Sequence, residues 1–313
     1  MWKFGSDKDF VRNIYFVRGF DDFEFCAGHF FQEVIDFKCR HLRGGCRFVV
    51  KDDDGICLAV VNESYRDTTQ SYVRLLFAGD AMQHSTQYLW AWDKSTRQYD
   101  YEPNFRYLRP YLAQADINIV NFETTLSGKP YGGYPRFRTP DAFLDALVDA
   151  GFQVFSVANN HILDGDKRGM KRTLKKLSSY PNLGAYMDTA QRSAQYPLIL
   201  HIDDMKIALF STTYGTNQLT PTAPTCVNYI ETEQLEIDLA KSLKDTTIDL
   251  RVMYIHWGTE YQLHHNAYQG GVGQWLADLG IDLIIGGHPH VVQDYEVLTA
   301  ADGRRVPIEL WGI

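Results

Sequence analysis

The sequence has no Cys-x-x-Cys pair, although four of its five cysteines (Cys26, Cys39, Cys46 and Cys57) fall before residue 60. Without that spacing a structural zinc site is not expected there, and buried free thiols are. No apolar run approaches the roughly 18–20 residues that cross a bilayer. The opening MWKFGSDKDFVRN lacks the apolar core of a secretory leader. The chain is therefore expected to carry neither a signal peptide nor a transmembrane segment, and by itself reads as cytoplasmic. Positive charge is also in deficit, with 31 Lys and Arg against 39 Asp and Glu, net −8. A nucleic-acid binder normally presents a basic face, so no nucleic-acid partner is expected. Internal repeats and low-complexity segments are absent, which sets repeat architectures aside.

What is present is enough apolar residue, 45% of 313, to fill one large core or two smaller ones. Two regions differ in character. Residues 1–72 form an expected appended α+β segment of unknown function. Within it, FFQEVIDFKCRHL (30–42) has helical spacing through Phe30, Val34, Phe37 and Leu42. RFVVKDDDGICLAVV (47–61) reads as a hairpin about an Asp-Gly turn, and residues 62–71 as a polar linker.

From residue 73 to 313 strand-like runs alternate with helical ones. VRLLFAG, DINIVNF, FQVFSVA, MKIALFST, DLRVMYIHW and IDLIIGG read as strands. DAFLDALVDAG, RGMKRTLKKLSSY and GGVGQWLADLG read as helices, the first stopping at a glycine. Such alternation predicts an α/β domain with a largely parallel sheet covered by helices. Residues 206–210 and 291–298 have less helix around them and are expected in antiparallel strands. The chain stops on the apolar run VPIELWGI, with no turn or polar tail after it, so a truncated C-terminus is expected.

The chemistry-bearing residues follow the strands. VRLLFAG leads to Asp80, with His84 four residues on, and DINIVNF, which includes Asn121, leads to Glu123. FQVFSVA leads to Asn159, Asn160 and His161, then Asp164; VMYI leads to His256; IDLIIGG leads to His288 and, after a proline, His290. Ligands of open α/β sheets bind outside the carboxyl ends of the strands. Singly, each residue has an ordinary explanation as a helix cap, a turn or a packed ring. Five strands delivering such donors to a single edge are better explained by a shared cluster. Its carboxylates, amides and imidazoles, without thiolate, suit Mn, Zn, Fe or Co rather than calcium. The donors suffice for two divalent transition-metal ions bridged by a carboxylate. Two metals about 3.5–4 Å apart can clamp a tetrahedral centre and supply a nucleophilic hydroxide.

GDAMQH, NFETTL, ANNHILDGD, IHWGTEY and GGHPHVVQ, in this order, resemble the CapA family of poly-γ-glutamate capsule synthesis proteins. That family is similar to the calcineurin-like metallophosphatases. The resemblance implies two stacked β-sheets flanked by helices (αββα) from about Val73 onward, with residues 1–72 outside it. It also implies roles: Asp80 and His290 on a first metal, Glu123 bridging, and Asn160, His256 and His288 on a second. His161 would be the general acid, oriented by Asp164. The first motif departs from the Asp-x-His of the phosphatases, and His84 is the candidate replacement ligand.

The loop SGKPYGGYPRFRTP (127–140) carries Lys129, Arg136 and Arg138 and is either a clamp for an anionic group or a solvated loop. Tyr214 is expected to face the pocket, Asn217 to cap a helix or else to face the pocket too, and His264 and His265 either to line the entrance or to lie exposed. Three functions are carried forward. The first is hydrolase-type chemistry on a phosphoester or γ-glutamyl amide in capsule biosynthesis. The second is a non-catalytic metal-binding scaffold in an envelope assembly handling an anionic polymer. The third is a plain phosphoesterase. The resemblance points to the cell envelope.

Overall fold

Strands that are apolar at every position must be covered on both faces. The computed structural model, which describes residues 13–17, 34–40, 72–293 and 296–309, meets that requirement with two sheets packed face to face between helices. The first sheet comprises β1 (Asn13–Val17), β2 (Val34–Arg40), β3 (Tyr72–Ala81), β4 (Ile117–Phe122), β5 (Val154–Ser156) and β6 (Asn182–Leu183), in that spatial order. Strands β3 to β6 are parallel, and β1 and β2 add antiparallel at the β3 edge. The second sheet contains β7 (Leu198–Ile202), β8 (Met205–Thr213), β9 (Leu250–His256), β10 (Leu283–Gly287), β11 (Glu296–Thr299) and β12 (Arg305–Glu309), ordered β7-β8-β9-β10-β12-β11. Its parallel centre is flanked by antiparallel pairs, β7 with β8 and β11 with β12. Antiparallel pairing was expected at 206–210, which lie in β8, and at 291–298, of which only 296–298 lie in β11.

Period-two alternation along the strands divides the side chains between layers. Val73, Leu75 and Phe77 of β3 and Ile119 of β4 meet Ile207, Leu209, Val252, Leu283 and Ile285 between the sheets. Leu76, Ala78, Val120 and Phe122 face outward. They pack under α2 (Asp141–Ala150) and α3 (Asp166–Leu177), which follow the short α1 (Ser85–Trp90) in the chain. On the far side, Phe210, Met253, Ile255 and Ile284 lie under α4 (Glu233–Leu243) and α5 (Ala267–Asp278). The result is the αββα sandwich that the resemblance implied, in place of the single sheet suggested by element alternation alone. Helix α2 ends where expected, at Gly151, whose φ of 123° favours glycine.

Residues 34–40, expected within a helix, are a strand. Their sequence VIDFKCR also alternates with period two, Ile35, Phe37 and Cys39 against Asp36, Lys38 and Arg40, and its β-branched start favours extended backbone. The expected hairpin at 47–61 and linker at 62–71 lie outside the described residues. Among the described residues, no helix is long and apolar enough to cross a membrane.

Candidate metal centre

A β-bulge places the first carboxylate. Along β3 the even-numbered Leu76 and Ala78 face the helix layer, and an undisturbed strand would send Asp80 after them. Between Ala78 and Asp80 the register with β4 slips, leaving Gly79 without a partner and pairing Asp80 with Asn121. Asp80 thereby turns to the inner face. There its Oδ1 accepts from Asn121 Nδ2 at 2.7 Å, and its Oδ2 accepts from the His288 backbone N–H at 3.0 Å.

Glu123 follows β4, and Asn159, Asn160 and His161 follow β5. The second sheet supplies His256 at the end of β9, and His288 and His290 beyond β10. His288 and His290 have φ of 101° and 55°, left-handed values that non-glycine residues adopt at a cost of order 1–3 kcal/mol each. This sharp turn about Pro289 sets the two imidazoles 5.9 Å apart, centroid to centroid. The donors therefore arrive from the carboxyl edges of two sheets.

Two groups of ligand-type atoms result, each within 4.8 Å of one another: Asp80, Glu123 and His256, and Glu123, His288 and His290. Glu123 belongs to both, and His256 Nε2 lies 3.5 Å from its Oε1. His290 Nδ1 is 3.2 Å from Asp80 Oδ2, so the groups also touch through Asp80. Asn160 Oδ1 lies 3.0 Å from His256 Nε2. Beside them, His161 Nδ1 is 2.7 Å from Asp164 Oδ2, which also accepts from the Phe137 backbone N–H at 2.5 Å. His161 Nε2 is 3.9 Å from Glu123 Oε1.

The electrostatics of the cluster favour a bound cation. Glu123 is fully buried and neither carboxylate oxygen has a hydrogen-bond partner; His288 Nδ1 is likewise buried and unpartnered. Burial, and then the charge of Asp80, push the Glu123 carboxyl well above its usual range. Burial holds His256 well below the ordinary imidazole value and brings His288 to about 4. Burial also opposes the charged forms of Asp80 and His290, but their mutual hydrogen bond and attraction prevail. Asp80 is held low and His290 high. A buried carboxylate without a donor is costly by several kcal/mol, a cost that a divalent cation held by these groups would offset. The space is tight: a Cβ on Gly287 would stand 3.1 Å from Asp80 Oδ1 and 3.5 Å from His256 Nδ1. The donors fit divalent transition metals.

The other expected site residues are placed less centrally. His84 is exposed at the N-cap of α1, 5.1 Å from the Phe137 ring, and is in neither ligand group. The Arg136 guanidinium is paired with Asp166 at 2.5 Å. Arg138 is half-buried and its Nε has no partner. Lys129 and His264 are exposed, and His265 Nε2 is 3.8 Å from Glu296. Tyr214 lies over the cluster, its ring centroid 4.7 Å from that of His288. Burial, with the Glu123 charge, pushes its hydroxyl up to about 12. Asn217 caps no helix; it accepts from Asn160 Nδ2 at 3.4 Å and approaches His161 Nδ1 at 3.4 Å. Sequence reasoning counted Asn121 and Asn159 among the polar groups of the shared cluster but gave neither a specific role; both hydrogen-bond among the ligands. The signal available was a polar side chain at an inward position of β4 and an amide at the end of β5.

Fold and site together define an αββα protein with a carboxylate–imidazole cluster, suited to divalent cations, where two sheet edges meet. More particularly, the chain belongs to the family described as bacterial capsule synthesis protein PGA_cap, whose family model matches residues 74–308. It is 27% identical over 205 residues to the capsule biosynthesis protein CapA of Bacillus anthracis, covering 62% of this chain and 49% of that protein. It is 27% identical over 220 residues to the PGA biosynthesis protein CapA of Bacillus subtilis (strain 168), covering 66% and 55%. The chain thus spans about half the length of the curated relatives it matches. A solved structure from Staphylococcus aureus, described as a candidate 5'-nucleotidase in complex with alpha-ketoglutarate, is similar with a TM-score of 0.45 and 16% identity. The likeness covers 69% of this chain and 44% of that one.

Proposed function

We propose that this chain is a metal-dependent component of capsule or related envelope-polymer biosynthesis with hydrolase-type chemistry on a phosphoester or γ-glutamyl amide. The carrying observation is Glu123, buried with both oxygens unpartnered and common to two groups of imidazole and carboxylate donors. Divalent cations held by Asp80, Glu123, Asn160, His256, His288 and His290 would supply positive charge to a developing anion and acidify water. The remaining work falls to side chains. Asp164 Oδ2, 2.7 Å from His161 Nδ1, would accept that nitrogen's proton and fix the ring, so that Nε2 can deliver a proton to a leaving group. Phe137 packs edge-on against that ring at 4.6 Å and limits its rotation. Tyr214 over the cluster would line the substrate side. With Arg136 paired, the unpartnered Nε of Arg138 makes it the better arginine candidate for an anionic group.

General acid assistance typically contributes ~10²–10⁴-fold. His161→Ala should lower turnover of a chromogenic phosphoester or γ-glutamyl amide by that order while metal content, measured by elemental analysis, is unchanged. Full activity in the variant would remove the role assigned to His161. The scaffold reading is favoured by one observation, that His84 lies outside both ligand groups. One metal ion or none per chain, with no hydrolysis of either substrate, would select it.

A further inference from the structure

Large apolar side chains are exposed on four loops around the metal centre. Tyr134 lies within 127–140, Tyr214 follows β8, Tyr261 and Leu263 follow β9, and Val292 follows β10; each is 37–77% exposed. The Tyr214 ring centroid is 4.7 Å from that of His288 and the Tyr261 centroid 6.2 Å from that of His290, so one tyrosine stands against each imidazole of the pair. Backbone bonds hold both: Tyr214 N–H donates to the His256 carbonyl at 2.9 Å, and Tyr261 N–H to the Pro289 carbonyl at 2.8 Å. Gln293 Nε2, donating to the Gln262 and His264 carbonyls at 2.7 and 3.2 Å, ties the loop of Leu263 to that of Val292. Burial, then the nearby Glu260 and Tyr134, push the Tyr261 hydroxyl above its ordinary value, so Tyr134 shares this rim. Single exposed apolar residues are ordinary, but five grouped about one polar centre mark a contact surface.

The rim is also short of positive charge. Residues 212–217, 257–265 and 288–293 include no lysine or arginine and one acid, the exposed Glu260. In 127–140, Arg136 is paired with Asp166 and Arg138 is the candidate for the anionic group itself, which leaves Lys129. A γ-linked glutamate chain brings a carboxylate on every residue, and this rim offers those carboxylates little to pair with. It suits a ligand with a single anionic group at the cations and an uncharged, apolar remainder.

We propose that Tyr134, Tyr214, Tyr261, Leu263 and Val292 form a subsite for the apolar alcohol of a phosphate monoester whose phosphoryl group lies at the metal centre. The inference rests on the metal-dependent hydrolase reading above and chooses between its two substrates. In the hydrolysis, the oxygen of water bonds to phosphorus as the bond from phosphorus to the ester oxygen breaks. The alcohol leaves with the proton of His161 Nε2, a proton of the water replaces it, and inorganic phosphate remains.

Release of inorganic phosphate from n-alkyl monophosphates, ethyl to octyl and below their critical micelle concentrations, tests it on the Mn²⁺-loaded protein. Burying a methylene favours binding enough that kcat/KM should climb roughly two- to fourfold per carbon while the tail stays on the rim. The exposed double substitution Tyr261→Ser, Leu263→Ser should lower the octyl-to-ethyl ratio of kcat/KM roughly tenfold, with Mn²⁺ content by elemental analysis retained. No chain-length trend in an active wild type, an unchanged ratio in the double variant, or cleavage of a γ-glutamyl anilide in preference to octyl phosphate would overturn the inference. So would a wild-type dimer, seen by light scattering, that dissociates in the double variant, since the rim would then belong to a second copy. Should neither substrate class be cleaved, the hydrolase reading fails by itself; n-alkylphosphonate affinity by calorimetric titration then decides the subsite, a rise with chain length upholding it and a flat series overturning it.

Discussion

Glu123 and Asp80 sit within one cluster yet have carboxyl groups displaced in opposite directions. For Glu123, burial and the neighbouring Asp80 charge favour the protonated acid. Its contribution to metal-free stability is complete below the ordinary glutamate value and is lost as pH rises through the raised one. Asp80 has the reverse sign. Despite burial, its imidazole and amide partners favour the carboxylate, so its contribution is present above the ordinary aspartate value and is lost as pH falls through the depressed one. Glu123→Gln removes the buried charge but keeps the shape. Metal-free thermal melting at neutral pH should rise by a few degrees, roughly 2–4 °C per kcal/mol in a domain of this size. Its decline toward higher pH should flatten, and the gain in melting temperature on adding Mn²⁺ should vanish. A variant that melts lower than wild type without metal would show that Glu123 is already compensated.

Among the elements, the β3 bulge has the most leverage. Its one unpaired residue, Gly79, decides whether Asp80 joins the helix-facing set of Leu76 and Ala78 or the inner face shared with Asn121. Deleting Gly79 removes the bulge but leaves Asp80 directly after Ala78, still opposite Asn121 and on the inner face. Mn²⁺ binding, measured by calorimetric titration on protein shown to be folded by denaturant unfolding, should therefore survive the deletion; its loss would show that the local twist of the bulge, and not only the residue count, aims the carboxylate. Gly79→Ala, which leaves the residue count intact, should retain binding. The turn after β10 has similar leverage by other means, since two consecutive imidazole positions depend on positive φ at His288 and His290.

On the scale of the molecule, the site is where two sheets are joined. Away from the candidate ligands, polar contacts between the sheets include Tyr254 Oη to the Ala78 carbonyl at 2.5 Å and the Ser156–Ser211 hydroxyl pair at 2.7 Å. Metal held from both sides should therefore stabilise the whole sandwich. A cation at a hundred times its dissociation constant adds about 2.7 kcal/mol, so the melting temperature should climb with Mn²⁺ concentration and drop on chelation. Insensitivity to both would argue that the cluster holds no ion.

Much of this was legible without coordinates, for a definite reason. Residues 75–78, 119–120 and 283–285 are apolar on both faces, so burial in a covered parallel sheet follows from composition. The donors stand next to those runs, so their place at strand ends follows as well. The strand at 34–40 was misread because VIDFKCR satisfies both a helical and a two-residue period, and pairing with β3 decides between them. The inward turn of Asp80, the amide chain through Asn121 and Asn159, the pairing of Arg136 with Asp166 and the separation of His84 depend on register and inter-sheet approach. Sequence determined which chemical groups reach the sheet edges; only the tertiary structure decided which of them meet, because meeting across sheets is a property of packing between segments remote in the chain.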